Sequence, residues 1–531
     1  MDYKLIFVII SIILSALETS GYKILGLFPY AGRSHDVMFK SIMKELAKRG
    51  HVVDVLSHYP CDKSMYNYTD LSVLGSVPLS NNQGSFESSI ISKLDIFNAM
   101  MIYGFRFAIE KHEHVMKTAV AQELIKSDKR YDLIITESFA TDMIIGFVDK
   151  FKVPFVLLSS CALPPWTSDI VANPQNPAFV PVFTSRFSPR MSFAERVINA
   201  GQLFFNLVSW YGLIVPANER IIREHFGDDA PSILDTLKNA SLVLSNTHPT
   251  IHGARPLAAN VIDVGGVHIE PAKELPEDIE KFIQESPHGV IYFCLGSIIR
   301  AANLPEGKRD AFVHTFSRLK ERVLWKFEDE NLQVPDNVMK IRVLNPQPGK
   351  LEIKLKILIA TFSTAHPKVK LFMSHGGLLG TLEAVSEGKP MMIMPKEGDQ
   401  PMNAQALKAQ GVAQILELDG IRNETLYETI KEMLKPKYAE RAKELARLFH
   451  DRPMSAADTA VYWIEYVIRN GGAKHLRSSA VDLPYYQYLL LDVILFYFLS
   501  VITSVYVIYS SIKWLCCSNK QMDVNSKRKW Q

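Results

Sequence analysis

The residues best equipped for chemistry lie between Phe372 and Gln400, where the chain reads FMSHGGLLGTLEAVSEGKPMMIMPKEGDQ. The short apolar run Lys370–Ser374 predicts a strand that ends at His375, and Gly376 and Gly377 let the backbone turn sharply and approach a ligand. Leu378–Glu387 has helical spacing, with Gly388 and Pro390 as stop signals, and Met391–Met394 is a further buried strand. A helix N-terminus at the mouth of a parallel sheet attracts anions, and His375 and Thr381 add side-chain donors there. Glu383, further along the same helix, can accept hydrogen bonds from two vicinal hydroxyls, as on a ribose. Asp399 and Gln400 follow the next strand and so return to the same sheet edge. Anion donors, a hydroxyl clamp and a polar pair make up the inventory for holding a nucleotide-sugar.

Taken singly, a Gly-Gly is a turn and an Asp-Gln a solvated loop. The ordered set is specific: His-Gly-Gly, then Glu383, Pro390, Pro395 and Asp399–Gln400. It resembles the signature of the UDP-glycosyltransferase family, the UDP-glucosyl and UDP-glucuronosyl enzymes of animals, and Leu378–Leu379–Gly380–Thr381 looks most like the arthropod branch. The resemblance implies that this segment binds uridine, diphosphate and donor sugar. It also marks a departure. Where the family has Trp-x-Pro-Gln, with Trp stacked on uracil and Gln reading it, this chain has Leu344-Asn345-Pro346-Gln347. Pro348–Thr364 then intervenes before Ala365-His366-Pro367, where relatives have only a few residues. Its Leu351, Ile353, Leu355, Ile357 and Ile359 alternate with mostly charged residues, a strand pattern without an evident partner. The insert is expected to be either a retained intron or a lid beside the uridine.

The elements that must position these groups form two βα series. Tyr22–Phe28 is a strand, Asp36–Arg49 an amphipathic helix and His51–Leu56 the next strand, the opening of a doubly wound sheet. The intervening loop lacks G-x-G-x-x-G, which argues against a dinucleotide. His35 lies at the carboxyl end of the first strand, where a capping histidine and a functional one are equally at home. The resemblance assigns it the family's catalytic base. Such a base needs its second ring nitrogen held, usually by a carboxylate. Glu137, at the end of the buried strand Leu133–Thr136, is preferred over Asp142; vertebrate members have Asp at the position of Glu137. Leu94–Ala119 and Phe193–Phe226 are apolar helical stretches suited to core, to an acceptor wall or to a membrane surface. Cys161–Trp166 and Asn173–Pro177 resemble acceptor-side loops. The second series opens with Val290–Leu295 and Gly296–Ser297, a strand followed by a phosphate-type turn in which Ser297 is the candidate ligand.

The totals agree with this plan. A chain of 531 residues exceeds one ordinary core, and its +3 charge argues against nucleic acid as a partner. Five cysteines without metal spacing imply neither a disulfide framework nor a zinc site. Residues 1–20 read as a signal peptide and 489–515 as a single membrane-spanning helix. Lysines and Arg528 in residues 516–531 put that tail in the cytosol and the large domain in the lumen. Lys527-Arg528-Lys529-Trp530-Gln531 resembles an endoplasmic-reticulum retrieval signal. The sequons at Asn67, Asn239 and Asn423 fall on the luminal side.

The expected architecture is α/β of the GT-B type, two facing Rossmann-like domains plus a C-terminal transmembrane helix. Residues 21–263 form the acceptor-binding domain, 264–289 the linker, and 290–437 the UDP-sugar-binding domain carrying the 348–364 insert. Residues 438–488 supply closing helices and a pre-membrane segment. His35, oriented by Glu137 or Asp142, is expected to deprotonate a hydroxyl of a small lipophilic acceptor, which attacks the sugar with inversion. Ser297, Gln347, His375, Gly376, Gly377, Thr381, Glu383, Asp399 and Gln400 are expected to hold the UDP-sugar, a co-substrate, with no metal or other cofactor. Self-association is compatible with this plan. The rival reading is a membrane-anchored luminal binding protein without turnover, motivated by Leu344 and the insert.

Overall fold

The computed structural model describes residues 21–61, 63–77, 99–271, 274–296, 299–329, 331–341 and 366–528. Ser297, Leu344, Gln347, the 348–364 insert, the first twenty residues and the last three fall outside them.

Among the described residues, thirteen strands fall into two all-parallel sheets. The first contains β1 (Lys23–Phe28), β2 (Val52–Ser57), β3 (Tyr68–Ser72), β4 (Leu133–Glu137), β5 (Phe155–Ser159), β6 (Leu242–Ser245) and β7 (Val261–Asp263), in the order β3-β2-β1-β4-β5-β6-β7. The second contains β8 (Val290–Cys294), β9 (Arg322–Lys326), β10 (Val338–Ile341), β11 (Val369–Ser374), β12 (Met391–Ile393) and β13 (Ala413–Ile415), ordered β10-β9-β8-β11-β12-β13. In each sheet the winding direction reverses once, between β1 and β4 and between β8 and β11. Crevices at such reversals, outside the carboxyl ends of the strands, are where open α/β sheets bind ligands. The central strands are covered on both faces: β4, β5, β6 and β8 are buried at every residue, as continuous apolar runs in parallel sheets require.

After β1 comes helix α1 (Arg33–Lys48), which buries Met38, Phe39, Ile42, Met43 and Leu46 on one face. Full burial of a side chain such as Phe39 is worth about 1.5–3 kcal/mol, so this face alone holds the helix to the sheet. The helix starts three residues earlier than the pattern predicts. Gly32 takes the extended N-cap conformation and Asp36 supplies the first-turn negative charge, so His35 lies within the first helical turn and not in the preceding loop. The segment expected to be a plain linker also contains a helix, Glu277–Gln284, with acidic residues in its first turn and Ile279 and Ile283 buried. After β11 and β12 come α2 (Leu378–Ser386) and α3 (Gln400–Ala409).

Helices Pro436–His450 and Ala456–Arg469 close this part of the chain. The second packs Ala460, Val461, Ile464 and Val467 into the same core as Ile24, Met38 and Phe39 of the N-terminal sheet. Polar contacts fasten it: Arg49 pairs with Asp458, and His51 Nε2 lies 3.1 Å from Glu465 Oε1. Trp166, from a loop expected on the acceptor side, and Trp210, from a stretch read as core, acceptor wall or membrane surface, are fully buried and stacked at 4.8 Å. Trp325 is core, as its strand position predicts. All five cysteines are free.

The unit from Ser478 onward stands by itself. Its helix Leu491–Arg528 contains a 27-residue stretch, Leu491–Cys517, long and apolar enough to cross a membrane.

Candidate active site

Three adjacent strands of the first sheet deliver three side chains to one point. Beyond β1, the Pro29–Gly32 turn is pinned by His58 Nε2 on the Pro29 carbonyl (2.9 Å) and by the Tyr59 hydroxyl donating to the Ala31 carbonyl (2.8 Å). His35 follows on α1. Glu137 ends β4, and Ser160 stands one residue past β5. His35 Nδ1 contacts Glu137 Oε1 and lies 2.9 Å from Ser160 Oγ, while Ser160 Oγ donates to the same Glu137 oxygen at 3.1 Å. The serine proton is thus committed to the carboxylate, so Ser160 Oγ accepts from the imidazole. In the uncharged ring Nδ1 then carries the hydrogen and Nε2 the lone pair, the tautomer a proton acceptor needs. Tyr30 and Phe139 flank the ring at centroid distances of 4.6 and 4.8 Å. The side chains of His35 and Glu137 are 16% and 4% exposed, so water competes little for their contact.

Asp142, the alternative orienting carboxylate, makes no hydrogen bond or ion pair with His35 among the described residues. It is buried with Oδ2 unpartnered, and burial pushes its pKa up to about 7. The sequence offered two carboxylates within reach; the sheet order brings only Glu137 to the ring.

The second crevice is built by the same rule. His375 follows β11 and its ring fits between two glycines: a Cβ on Gly296 or Gly377 would meet ring atoms at 2.3 or 2.5 Å. Burial, helped by the Lys326 charge, pushes the His375 pKa down to about 4, so it acts at neutral pH as an uncharged donor. Gly376 has φ +86°, where a Cβ would also strike Ile393. Gly377 caps α2 with no side-chain cap bond, leaving the first-turn N–H groups free for an anion. Thr381 Oγ1 is buried there without a partner. Glu383, half a helix further on, is buried and lies 3.5 Å from His268.

Asp399 and Gln400 reach the same edge but face differently. Gln400 Oε1 accepts the backbone N–H groups of Lys396 (2.9 Å) and Glu397 (3.3 Å), so it braces its own loop. Asp399 accepts from the Asn403 amide and feels the charge of His35 in the other lobe. Burial raises its pKa, while the amide of Asn403 (2.9 Å) and the nearby His35 pull it back. Cys161 and Tyr30 respond in turn to carboxylates of both sheets: their pKa values are raised first by burial and then by Asp399 with Glu137, or by Glu137 with Glu397. The two lobes also meet directly, where His252 Nε2 lies 3.2 Å from Asn403 Oδ1 and His268 Nε2 lies 3.3 Å from the Leu379 carbonyl.

Sequence reasoning missed several members. Asn403, one helical turn from Asp399, donates to the Gly376 carbonyl (3.0 Å) as well as to Asp399, and its Oδ1 is 3.2 Å from His252 Nε2. It ties the glycine turn, the Asp399 loop and the N-terminal lobe together; the Asp-Gln-x-x-Asn spacing on one helix face was the available signal. Ser160, Tyr30 and His268 gave none. Among the described residues no group of three or more His, Cys, Asp or Glu side chains is placed to share a metal ion.

Known proteins resemble this chain over most of its length. The family model for UDP-glucoronosyl and UDP-glucosyl transferase matches residues 23–528. UDP-glycosyltransferase UGT5 of Dactylopius coccus is 39% identical over 93% of this chain and 92% of its own length. UDP-glucosyltransferase 2 of the same insect is 37% identical, covering 93% of each chain. UDP-glucuronosyltransferase 2B1 of Rattus norvegicus is 31% identical over 93% of this chain and 94% of its own. Among solved structures, glycosyltransferase VinC in complex with DTDP superposes with a TM-score of 0.55 at 15% identity, over 85% of this chain and 100% of that one. A UDP-glucosyltransferase from Polygonum tinctorium does so at 0.54 and 14%, over 85% and 99%. At those identities the likeness is one of fold, the two-lobed GT-B architecture.

Proposed function

The chain belongs to the UDP-glucuronosyl and UDP-glucosyl transferase family, and from that premise we propose that it transfers a hexosyl group, from UDP-glucose, to a hydroxyl of a small lipophilic acceptor with inversion. The observation that carries this reading is the His35–Glu137–Ser160 array, which leaves Nε2 of a flanked, nearly dry imidazole free to accept a proton. In the proposed step the acceptor O–H proton passes to His35 Nε2 as that oxygen bonds to the anomeric carbon and the bond from that carbon to the β-phosphate oxygen breaks. Glu137, already in contact with Nδ1–H, stabilises the imidazolium that forms. UDP leaves with its new charge facing the free N–H groups of α2, the unpartnered Thr381 hydroxyl and the uncharged His375.

Glucose is favoured over glucuronate because relatives named for glycosyl or glucosyl transfer share 39% and 37% identity, against 31% for the rat glucuronosyl enzyme. The apolar stretch Leu491–Cys517 and the basic residues after it support a single-pass anchor in the endoplasmic-reticulum membrane with the catalytic lobes in the lumen. The test is His35→Ala. Transfer from UDP-glucose should vanish while calorimetric UDP binding persists; retained turnover would refute the base. Running the wild type with UDP-glucose and UDP-glucuronate side by side decides the sugar.

A further inference from the structure

We infer that His268 is a positioning residue for the donor nucleotide, presenting the Glu383 carboxylate to the two ribose hydroxyls; this rests on the reading of Glu383 as the ribose clamp. His268 comes from the N-terminal lobe, five residues past the edge strand β7, yet its Nε2 lies 3.5 Å from Glu383 Oε1 and 3.3 Å from the Leu379 carbonyl of α2. The hydrogen bond to the Leu379 carbonyl requires that Nε2 carry the hydrogen, and it holds that end of the ring against the Glu383 carboxylate. The contact is dry: the two side chains are 1% and 6% exposed.

The backbone that delivers this ring is built for the purpose. Val264 and Gly265 donate to the carbonyls of Ser245 and Thr247 (2.8 and 3.0 Å), and the Gly265 carbonyl accepts from Arg452 at 3.1 Å. A Cβ on Gly265 would meet the Thr247 oxygen at 2.5 Å, and one on Gly266, at φ +89°, would meet the Phe449 ring at 2.8 Å. The turn is thus clamped between the first sheet and the closing helices, and the imidazole at its end cannot drift. A carboxylate on a helix has free rotation about several bonds. A fixed N–H against one of its oxygens selects the rotamer and leaves the other oxygen for the ligand. His268 Nδ1 is buried without a hydrogen-bond partner, so the polar contacts of the ring are those of Nε2.

The test uses the full chain in detergent, with UDP, 2′-deoxy-UDP and 3′-deoxy-UDP as probes in titration calorimetry. Wild type should bind UDP about tenfold or more tightly than either deoxy analogue, the scale of one lost hydrogen bond to a charged group. In His268→Ala that ratio should fall to about one to three, with kcat at saturating UDP-sugar within about threefold of wild type and the loss confined to KM. His268→Gln, which returns an N–H near the same place, should restore discrimination. A merely structural histidine would lower the melting temperature and weaken all three probes equally. Should His268→Ala not fold, His268→Asn, too short to reach Glu383, carries the same expectation. Discrimination kept in the His268 variants but lost in Glu383→Ala overturns the role of His268 alone. A wild type that binds UDP without discriminating overturns the clamp as well, and one that binds no UDP removes the donor-site reading itself.

Discussion

Glu137→Gln isolates the electrostatic part of the proposed base. The substitution keeps the side-chain length and, through its amide oxygen, an acceptor for His35 Nδ1–H, so the ring should stay in place between Tyr30 and Phe139. What it removes is the negative charge that faces the imidazolium formed during transfer. Opposite unit charges at about 4 Å interact by roughly 4 kcal/mol at the effective dielectric of a protein surface, and a hydrogen bond to a charged partner is worth about 1.5–3 kcal/mol. With the carboxylate only 4% exposed, little of this is screened. A loss of 2–4 kcal/mol in the transition state corresponds to a kcat lower by roughly 30- to 1000-fold. The assay is UDP release at saturating UDP-glucose with a phenolic acceptor, alongside UDP affinity, which should not change because Glu137 lies in the other lobe. Glu137→Asp, one methylene shorter, should lose about tenfold, since Ser160 can still bridge to the ring. A Glu137→Gln enzyme within about threefold of wild type would show that no charge develops on His35, and the base would have to be sought elsewhere.

Asp142→Asn should leave kcat within about threefold, because Asp142 does not touch His35, and should raise the melting temperature at pH 8. Its carboxyl, ordinarily near 3.8 and pushed up to about 7 by burial, costs stability increasingly as pH rises from about 4 to 7, so the gain should vanish near pH 4. Acid should destabilise the lobes: burial holds His112 and His252 down to about 3 and His375 to about 4, so their contribution is complete above about pH 6.5 and is lost as pH falls toward 4. The raised carboxyls of Asp36, Asp142, Asp263 and Asp399 oppose this loss; a net fall in stability from pH 7 to pH 5 is expected and is measurable by urea titration at pH 7, 6 and 5. Asn403→Ala should weaken UDP-glucose KM by about tenfold, since the Gly376 turn and Asp399 lose their shared donor; an unchanged KM would mean that the loop holds its shape without it. Removal of residues 491–531 should release the protein from alkaline-washed membranes, and a protein that stays bound would point to a second attachment.

How much of this was legible in the chain follows from where the information is stored. Strand ends announce themselves locally: an apolar run that stops at His375-Gly-Gly, or at Pro29 before an amphipathic helix, marks the carboxyl edge of a parallel sheet, and the candidate residues read from those edges lie at the crevices. What strand ends do not announce is which edges are neighbours. Ser160 acquires its place only because β5 lies beside β4, and Asp142 loses its claim because the chain turns inward after Glu137 and buries it. Local competition explains other differences. Gln400 has the type and position of a sugar ligand, but two backbone N–H groups of its own loop occupy it. The Glu- and Pro-rich stretch after β7 read as linker by composition, although Ile279, Phe282 and Ile283 have helical spacing and the acidic first turn favours a helix start. The contacts hardest to read are those between lobes: His252 on Asn403 and His268 on Glu383 each join residues more than a hundred positions apart. Each lobe has a crevice of its own, and the proposed reaction needs the proposed base of one with the proposed donor site of the other. On the proposed mechanism, the His252–Asn403 and His268–Glu383 contacts between the lobes are the points at which substitutions should separate binding from turnover.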